Sequence, residues 1–241
     1  MLIQKAKEAV KERTAKTKLL IYGDSGSGKT WLASGASKPL IVLTEPNGFT
    51  SAAHSNPDSL IIQTNDAETL RDAVRAAYVG EIEGNKFDTL VIDSLTEIQR
   101  LFKEEILKKH RKDRFTLQMW GELADTMRKF IRTVRDVPVH VVCTALMESV
   151  VDEGDGARYI SPSFEGKKTG SEIMQYFNAV GFLYKTKTEE GINRILMLEG
   201  PNRVTCKTTY PLPSEIKNPN MSDIQASVMS GSYIGEIEDS E

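Results

Sequence analysis

Residues 23–30 combine glycines, small polar residues, a lysine and a threonine in a spacing that suits phosphate binding. The segment reads Gly23-Asp24-Ser25-Gly26-Ser27-Gly28-Lys29-Thr30 and fits the pattern G-x-x-x-x-G-K-[ST]. Glycines permit the backbone angles and the close approach that let N–H groups surround an anion. Lys29 is predicted to reach the β- and γ-phosphates of a nucleotide, and Thr30 to bind Mg²⁺. The alternative is a Gly/Ser turn with a surface lysine. The apolar run directly before the motif favours the phosphate loop.

Asp93 is the second residue that could take part in this chemistry. It ends the apolar run 88–92, and the carboxyl ends of parallel strands face the ligand crevice of a doubly wound sheet. In P-loop ATPases an aspartate in this position holds Mg²⁺. The alternative is a helix N-cap for the segment that starts at Leu95, a task that Ser94 could equally perform. We expect Asp93 to bind Mg²⁺.

Glu45 and Thr144 follow or end two further apolar runs, 39–43 and 137–144. A carboxylate at Glu45 could orient and deprotonate the water that attacks the γ-phosphate. The Thr144 hydroxyl could donate a hydrogen bond to the same phosphate. The alternatives are an exposed glutamate that begins a turn and an ordinary threonine at a strand end.

Two basic segments could contact a nucleic acid. The first contains Lys108, Lys109, Arg111, Lys112 and Arg114. Phe115 and Trp120 follow it. Basic groups beside aromatic rings suit single-stranded DNA, through phosphate contacts and base stacking. A solvated helix end with Trp120 in the core is the alternative. The second segment is a long Gly-containing loop over residues 147–170, which carries Arg158, Lys167 and Lys168. A loop of this length is usually functional or mobile, although an ordinary surface excursion would look similar.

The whole chain sets the limits for these sites. Its 241 residues carry a net charge of −3, so any nucleic-acid site must be a local basic patch. Two distant cysteines indicate reduced thiols. No apolar run is long enough to cross a membrane, and the charged N-terminus lacks the apolar core of a signal peptide. We therefore expect a cytoplasmic protein without membrane partners. The acidic C-terminus is a solvated tail or a decoy that competes with nucleic acid for a basic site.

The elements that position these residues alternate between strands and helices. Strands are predicted at residues 18–22, 39–43, 59–63, 88–92 and 137–144. Helices are predicted after the phosphate loop, after Asp66, over 95–109 and over 121–135. This order indicates right-handed βαβ units and a mostly parallel sheet. The apolar runs 179–184 and 192–198 predict an antiparallel hairpin, and 204–210 could add another strand. The predicted organisation is an N-terminal helical arm (1–16), one α/β core (17–229) and the tail (230–241).

With these motifs in this order, the chain resembles the RecA-type recombinase ATPases, in particular the short core-only forms of bacteriophages that act in single-strand annealing. The resemblance covers about residues 17–212. It rests on the phosphate loop and on three strand ends, Leu43-Thr44-Glu45, Leu90-Val91-Ile92-Asp93-Ser94 and Val141-Val142-Cys143-Thr144. Thr144 stands where the family has a glutamine that senses the γ-phosphate.

This resemblance implies a RecA-like P-loop core that binds ATP and Mg²⁺, with an antiparallel extension on its C-terminal side. It also implies DNA-stimulated ATP hydrolysis, single-stranded DNA bound between two loops, a homo-oligomer in the form of a filament or ring, and contact with a single-stranded-DNA-binding protein. Lys207 resembles a family lysine that reaches the ATP of the neighbouring subunit, although the second such lysine is replaced by Thr209. Two rival hypotheses remain: a ring ATPase of the helicase or clock-protein type without annealing activity, and a nucleotide-dependent binding module whose weak turnover resets a switch.

Overall fold

The computed structural model describes residues 16–45, 47–151, 154, 156–166, 169–189 and 191–235. The described strands are β1 (Lys18–Gly23), β2 (Pro39–Leu43), β3 (Leu60–Gln63), β4 (Glu81–Ile82), β5 (Asn85–Lys86), β6 (Thr89–Asp93), β7 (His140–Val151), β8 (Arg158–Pro162), β9 (Ala179–Thr188), β10 (Gly191–Met197), β11 (Lys207–Thr208) and β12 (Glu215–Lys217). The described helices are α1 (Lys29–Ser34), α2 (Gly48–Ser55), α3 (Ala67–Ala76), α4 (Leu95–His110), α5 (Leu117–Asp136), α6 (Thr169–Met174) and α7 (Met221–Ser230).

The central sheet has the strand order β12-β10-β9-β1-β7-β6-β2-β3. From β9 to β3 all neighbours pair in parallel, whereas β10 and β12 continue the sheet in antiparallel fashion. Strand β7 separates β1, which leads into the phosphate loop, from β6, which ends at Asp93. The predicted fold class, a mostly parallel α/β sheet with an antiparallel hairpin on the C-terminal side, is confirmed.

Helices cover both faces of the sheet because the parallel strands are apolar on both sides. In β1, Leu20 and Tyr22 point into one core, and Leu19 and Ile21 point into the other. The first core is covered by α3, α4, α5 and α6, and the second by α1, α2 and α7. Phosphate-loop strand β1 therefore lies in the middle of the molecule, where packing from both layers fixes its position.

The predicted loop at 147–170 is the main point at which the structure differs from the sequence-based expectation. Strand β7 does not end at Thr144 but continues to Val151, and it pairs with β8 in an antiparallel hairpin with Met147 opposite Pro162. The prediction of an irregular loop is wrong for these strand residues, since Val150, Val151 and Tyr159 supply β-forming side chains on either side of the glycines.

Two smaller differences concern helices. Helix α5 begins at Leu117 rather than near Gly121, because the Thr116 side chain accepts a hydrogen bond from the Met119 N–H at 3.4 Å and caps the first turn. Helices α2 and α7 were not predicted. Helix α7 also begins at a cap, where Asn220 accepts from the Ser222 and Asp223 N–H groups.

Some of the expectations concern residues outside the described part of the chain. These are the helical arm, apart from Lys16, the acidic end of the tail at 236–241, and Lys167 and Lys168. In the part of the chain that is described, none of the helices is long and apolar enough to cross a membrane.

Candidate active site

The phosphate loop connects β1 to α1 at the carboxyl edge of the sheet. Gly28 precedes α1 with a φ of 104°, a left-handed conformation that favours glycine. A side-chain carbon on Gly23 would lie 2.2 Å from the Leu183 carbonyl oxygen of β9, so only glycine fits against that strand. Gly26, with a φ of +74°, has no heavy atom within 4 Å of the same position and borders open space. The loop is thus fixed at its two ends and open in its middle.

Lys29 lies folded over this loop. It is largely buried, and its Nζ donates to the carbonyl oxygens of Gly23 at 3.0 Å and Asp24 at 2.8 Å. Burial lowers the pKa of Lys29, and the nearby carboxylates of Asp93, Glu45 and Asp24 partly offset that effect. The lysine therefore lies within the electrostatic reach of the three carboxylates that surround the loop.

Asp93 at the end of β6 is held on both of its carboxylate oxygens. Thr30 Oγ1 donates to Oδ2 at 2.6 Å, and Thr144 Oγ1 donates to Oδ1. Thr144 is fully buried in the middle of β7, next to β6. Its hydroxyl is thus directed at Asp93, an arrangement that orients the carboxylate beside Thr30.

Glu45 lies two residues beyond β2 and is half-buried. Its Oε1 accepts a hydrogen bond from Ser94 Oγ at 3.0 Å. The register of β2 with β6 places Leu43 opposite Asp93, so both carboxylates lie at the same edge of the sheet. Ser94 also caps α4, since its Oγ accepts from the Glu97 N–H at 3.4 Å. One serine thereby connects Glu45 to the start of a helix.

Thr44 holds the two strand ends together. Its N–H donates to the Asp93 carbonyl at 2.8 Å, and its hydroxyl accepts from the Ser94 N–H at 3.0 Å. The peptide bond between Asp93 and Ser94 is cis. The sequence pattern does not predict this role of Thr44, because it shows only a threonine that follows a strand.

These residues fit a nucleoside triphosphate with Mg²⁺. The Ser27 hydroxyl is buried inside the loop without a hydrogen-bond partner among the described residues, which leaves a donor for an incoming anion. Thr30 and Asp93 offer the hard oxygen ligands that Mg²⁺ prefers. The described residues contain no cluster of three or more His, Cys, Asp or Glu that could hold a metal.

Lys207 lies away from this edge. It belongs to β11 and is opposite Val180 of β9, which in turn is opposite Leu20, three residues before the phosphate loop begins. Burial lowers the pKa of Lys207. The structure does not bring Lys207 to the Lys29 and Asp93 side chains of its own chain.

The first basic segment forms the end of α4 and the connection to α5. Arg111 takes a left-handed conformation with a φ of 50° and ends α4. Lys109 pairs with Glu122, and so does His110. The other four residues of this segment that are predicted to bind DNA are exposed and have no ion-pair partner among the described residues, namely Lys108, Arg111, Lys112 and Arg114.

The second basic segment is the β7–β8 hairpin. Arg158 starts β8 and is exposed, as are Val150, Val151 and Tyr159. The hairpin is also supported from its far side, where the Ile160 N–H donates to the Arg203 carbonyl at 2.8 Å. Arg158 is thus carried by a paired strand.

Helix α4 contacts residues next to both basic segments, a feature that the sequence did not indicate. Gln99 exchanges two hydrogen bonds with the backbone of Glu165, at 2.7 and 2.8 Å, just after β8. Lys103 pairs with the Glu165 carboxylate and lies over the rings of Phe115 (5.5 Å) and Trp120 (5.1 Å) at the start of α5. Because Ser94 is the N-cap of α4, a single helix connects the active site to both segments.

The fold and the phosphate loop define a class of protein, the P-loop ATPases built on a mostly parallel α/β sheet. A family model described as "AAA domain" matches residues 15–210, and the chain belongs to this family. Among solved structures, the chain is similar to a KaiC-like protein of the archaeon Pyrococcus horikoshii OT3 (15% identity, 84% of this chain and 89% of the other, TM-score 0.42). It is also similar to the flagellar accessory protein FlaH of Methanocaldococcus jannaschii (12% identity, 91% and 96% coverage, TM-score 0.46). No curated protein matches.

Proposed function

We propose that this P-loop ATPase hydrolyses Mg²⁺-bound ATP and that bound ATP controls its affinity for single-stranded DNA. The observation that carries this proposal is the position of α4. Its N-cap Ser94 contacts Glu45, and its residues Gln99 and Lys103 contact Glu165 and Trp120, which lie next to the two basic segments. A change at the γ-phosphate can therefore act on one helix that borders both candidate DNA contacts.

The residues of the site have separate tasks in this mechanism. Lys29 exchanges its loop carbonyls for phosphate oxygens and donates to the charge that develops on the transferred group. Glu45, held by Ser94, orients the attacking water and accepts its proton. Thr30 and Asp93 would hold Mg²⁺, which would neutralise negative charge on the triphosphate. Thr144 keeps the Asp93 carboxylate in place.

The DNA part of the proposal is based on charge and exposure. Lys108, Arg111, Lys112 and Arg114 are exposed and unpaired among the described residues, so their charges are available for phosphates. Arg158 adds a charge on the hairpin, and Lys109 can contribute once DNA competes with Glu122. Lys167 and Lys168 remain candidates from the sequence. The biological role proposed is recombination or single-strand annealing, in a phage-encoded protein that works with a single-stranded-DNA-binding protein.

An oligomer, as a filament or ring, is part of the same proposal. Lys207 lies away from its own phosphate loop, so any contact with ATP would be with the nucleotide of a neighbouring subunit. A cation supplied in this way is worth about 10³–10⁵-fold in rate in ATPases that use one. Hydrolysis would then require assembly.

The test is ATP turnover with and without single-stranded DNA at low salt. Stimulation by DNA, together with DNA binding that depends on an ATP analogue, is the expected result. Equal turnover in both conditions and no DNA binding would exclude the DNA part of the proposal. Electron microscopy of the same samples would distinguish filaments, rings and dispersed molecules.

A second candidate function is an ATPase switch or ring ATPase without annealing activity. The pairing of Lys109 and His110 with Glu122 favours it, because it reduces the positive charge of the first basic segment. An annealing assay with complementary strands separates the two candidates, since only the first predicts product.

A further inference from the structure

Arg194 of β10 lies against the phosphate loop, although β10 is two strands away from β1. A side-chain carbon placed on Gly28 would lie 2.6 Å from Arg194 Nε and 3.1 Å from its Cδ. The Nε atom is buried and has no hydrogen-bond partner among the described residues. A guanidinium with an unused donor thus lies at the loop residue that directly precedes Lys29.

The backbone around Arg194 determines the face of the sheet to which its side chain points. Leu196, two residues further along β10, belongs to the core on the α1 side of the sheet, and side chains two apart in a strand share a face. The Arg194 N–H donates to the Asn218 side chain at 3.0 Å, and its carbonyl accepts from the Asn218 N–H at 2.6 Å. The side chain therefore points to the face that carries α1.

The strand order shows which part of a nucleotide this side chain would meet. Asp93 and Thr144 are on β6 and β7, to one side of β1, whereas Arg194 is on β10, to the other side. Mg²⁺ and the γ-phosphate belong with Asp93 and Thr30. The remainder of the triphosphate would then extend away from Asp93, across Gly28 towards β9 and β10.

We propose that Arg194 is a nucleotide-binding residue whose guanidinium contacts the α- and β-phosphates of the bound nucleotide. This inference rests on the proposed function, since it requires a nucleotide at the phosphate loop. Arginine presents a planar fork of donors that matches phosphate oxygens. It would also supply a second positive charge in a site where Lys29 faces the carboxylates of Asp24, Glu45 and Asp93.

The test is the affinity of the full-length protein for ADP and for a non-hydrolysable ATP analogue, measured by titration calorimetry with Mg²⁺. Arg194→Ala is expected to weaken both nucleotides to a similar extent, by about tenfold, because both contain the α- and β-phosphates. Arg194→Lys is expected to fall between Arg194→Ala and the wild type, since it keeps the charge and loses the fork.

The matched control is Lys187→Ala. Lys187 is an exposed cation on β9, and its place in the hairpin register puts it on the same face of the sheet as Arg194. The affinity of the Lys187→Ala variant for both nucleotides should stay within about twofold of wild type. Salt screens the interaction between a distant surface charge and the phosphates. Equal weakening by Lys187→Ala would attribute the effect to general charge and overturn the assignment.

Two further outcomes overturn the inference. Arg194→Ala that binds both nucleotides as the wild type does would show that the contact is absent. Weakening of the ATP analogue alone would place the guanidinium at the γ-phosphate instead. Thermal unfolding without nucleotide shows whether each variant is folded. If Arg194→Ala does not fold, the affinities of Arg194→Lys test the inference instead. If the folded wild-type protein binds neither nucleotide, the proposed function itself is refuted. The results with the variants test only the role of Arg194.

Discussion

The carboxyl edge of the sheet and the two basic segments differ in how completely their side chains are held. At the sheet edge, Asp93 has partners on both carboxylate oxygens, and Glu45 is held by Ser94. In the first basic segment, Lys112 and Arg114 are exposed and have no ion-pair partner among the described residues. The difference indicates that the chemical site is organised before it meets its ligand. In the proposed function, the two basic segments (together, the outer site) would become ordered only when the phosphates of DNA supply negative charge.

The largest expected effect is that of Glu45→Gln on turnover. Loss of the general base should reduce the rate of ATP hydrolysis by about 10²–10⁴-fold. The amide can still accept from Ser94, so binding of an ATP analogue should remain within a few-fold of wild type. Single-turnover hydrolysis and calorimetry measure the two quantities. Unchanged hydrolysis would remove Glu45 from the mechanism, and if partner binding also persisted it would favour the switch hypothesis.

The next largest expected effect is on DNA binding by the first basic segment. Combined replacement of Arg111, Lys112 and Arg114 by alanine should weaken the binding of single-stranded DNA. The salt slope of log K should become shallower by about 0.7 for each phosphate that the variant no longer neutralises. ATP turnover without DNA should not change. Lys86→Ala, at an exposed cation of β5 in the separate two-stranded sheet of β4 and β5, is the control. A variant that keeps the wild-type salt slope would show that these residues do not contact phosphates.

A smaller effect is expected from Ser94→Ala, because it removes the hydrogen bond that positions Glu45. Turnover should fall by about 5–10-fold, the loss expected for a typical hydrogen bond worth about 1.0–1.4 kcal/mol. The change also removes the cap of α4. Asp66→Ala is the matched control, since Asp66 caps α3 through the Thr69 N–H at 2.7 Å and lies outside the site. Both variants should lose stability, on the order of 1 kcal/mol, and only Ser94→Ala should lose turnover.

The smallest expected effect is that of Lys103→Met. Methionine keeps much of the apolar volume but loses the ion pair with Glu165 and the cation–π contacts with Phe115 and Trp120. Basal turnover should stay constant, while stimulation by DNA should fall by about two- to threefold, since exposed pairs and such contacts are individually weak. Full stimulation would show that α4 does not couple the two regions through this side chain.

Local sequence patterns were sufficient for the sheet edge and insufficient elsewhere. The phosphate loop and the apolar runs that end near Glu45 and Asp93 are visible because a buried parallel strand leaves a continuous apolar signal. Helix α7 was missed, although Met221, Ile224 and Val228 have helical spacing after the Asn220 cap.

Other features depend on pairing between distant parts of the chain. The extension of β7 to Val151 depends on β8, and the position of Arg194 at Gly28 depends on the placement of β10 beside β9. No local pattern contains that information. The same reason explains why the sequence suggested a phosphate-sensing role for Thr144, whereas the structure directs its hydroxyl to Asp93.

Strand β7 has a mechanical consequence. It is one uninterrupted strand from beneath Asp93, at Thr144, out to Val151 at the hairpin. At about 3.3 Å per residue, these seven steps form a rod of roughly 23 Å. A tilt of about 10° at its inner end would sweep the outer end through roughly 4 Å. The strand thus has the dimensions of a lever, which would turn a sub-ångström adjustment beside the carboxylate into a displacement comparable to the size of a phosphate group.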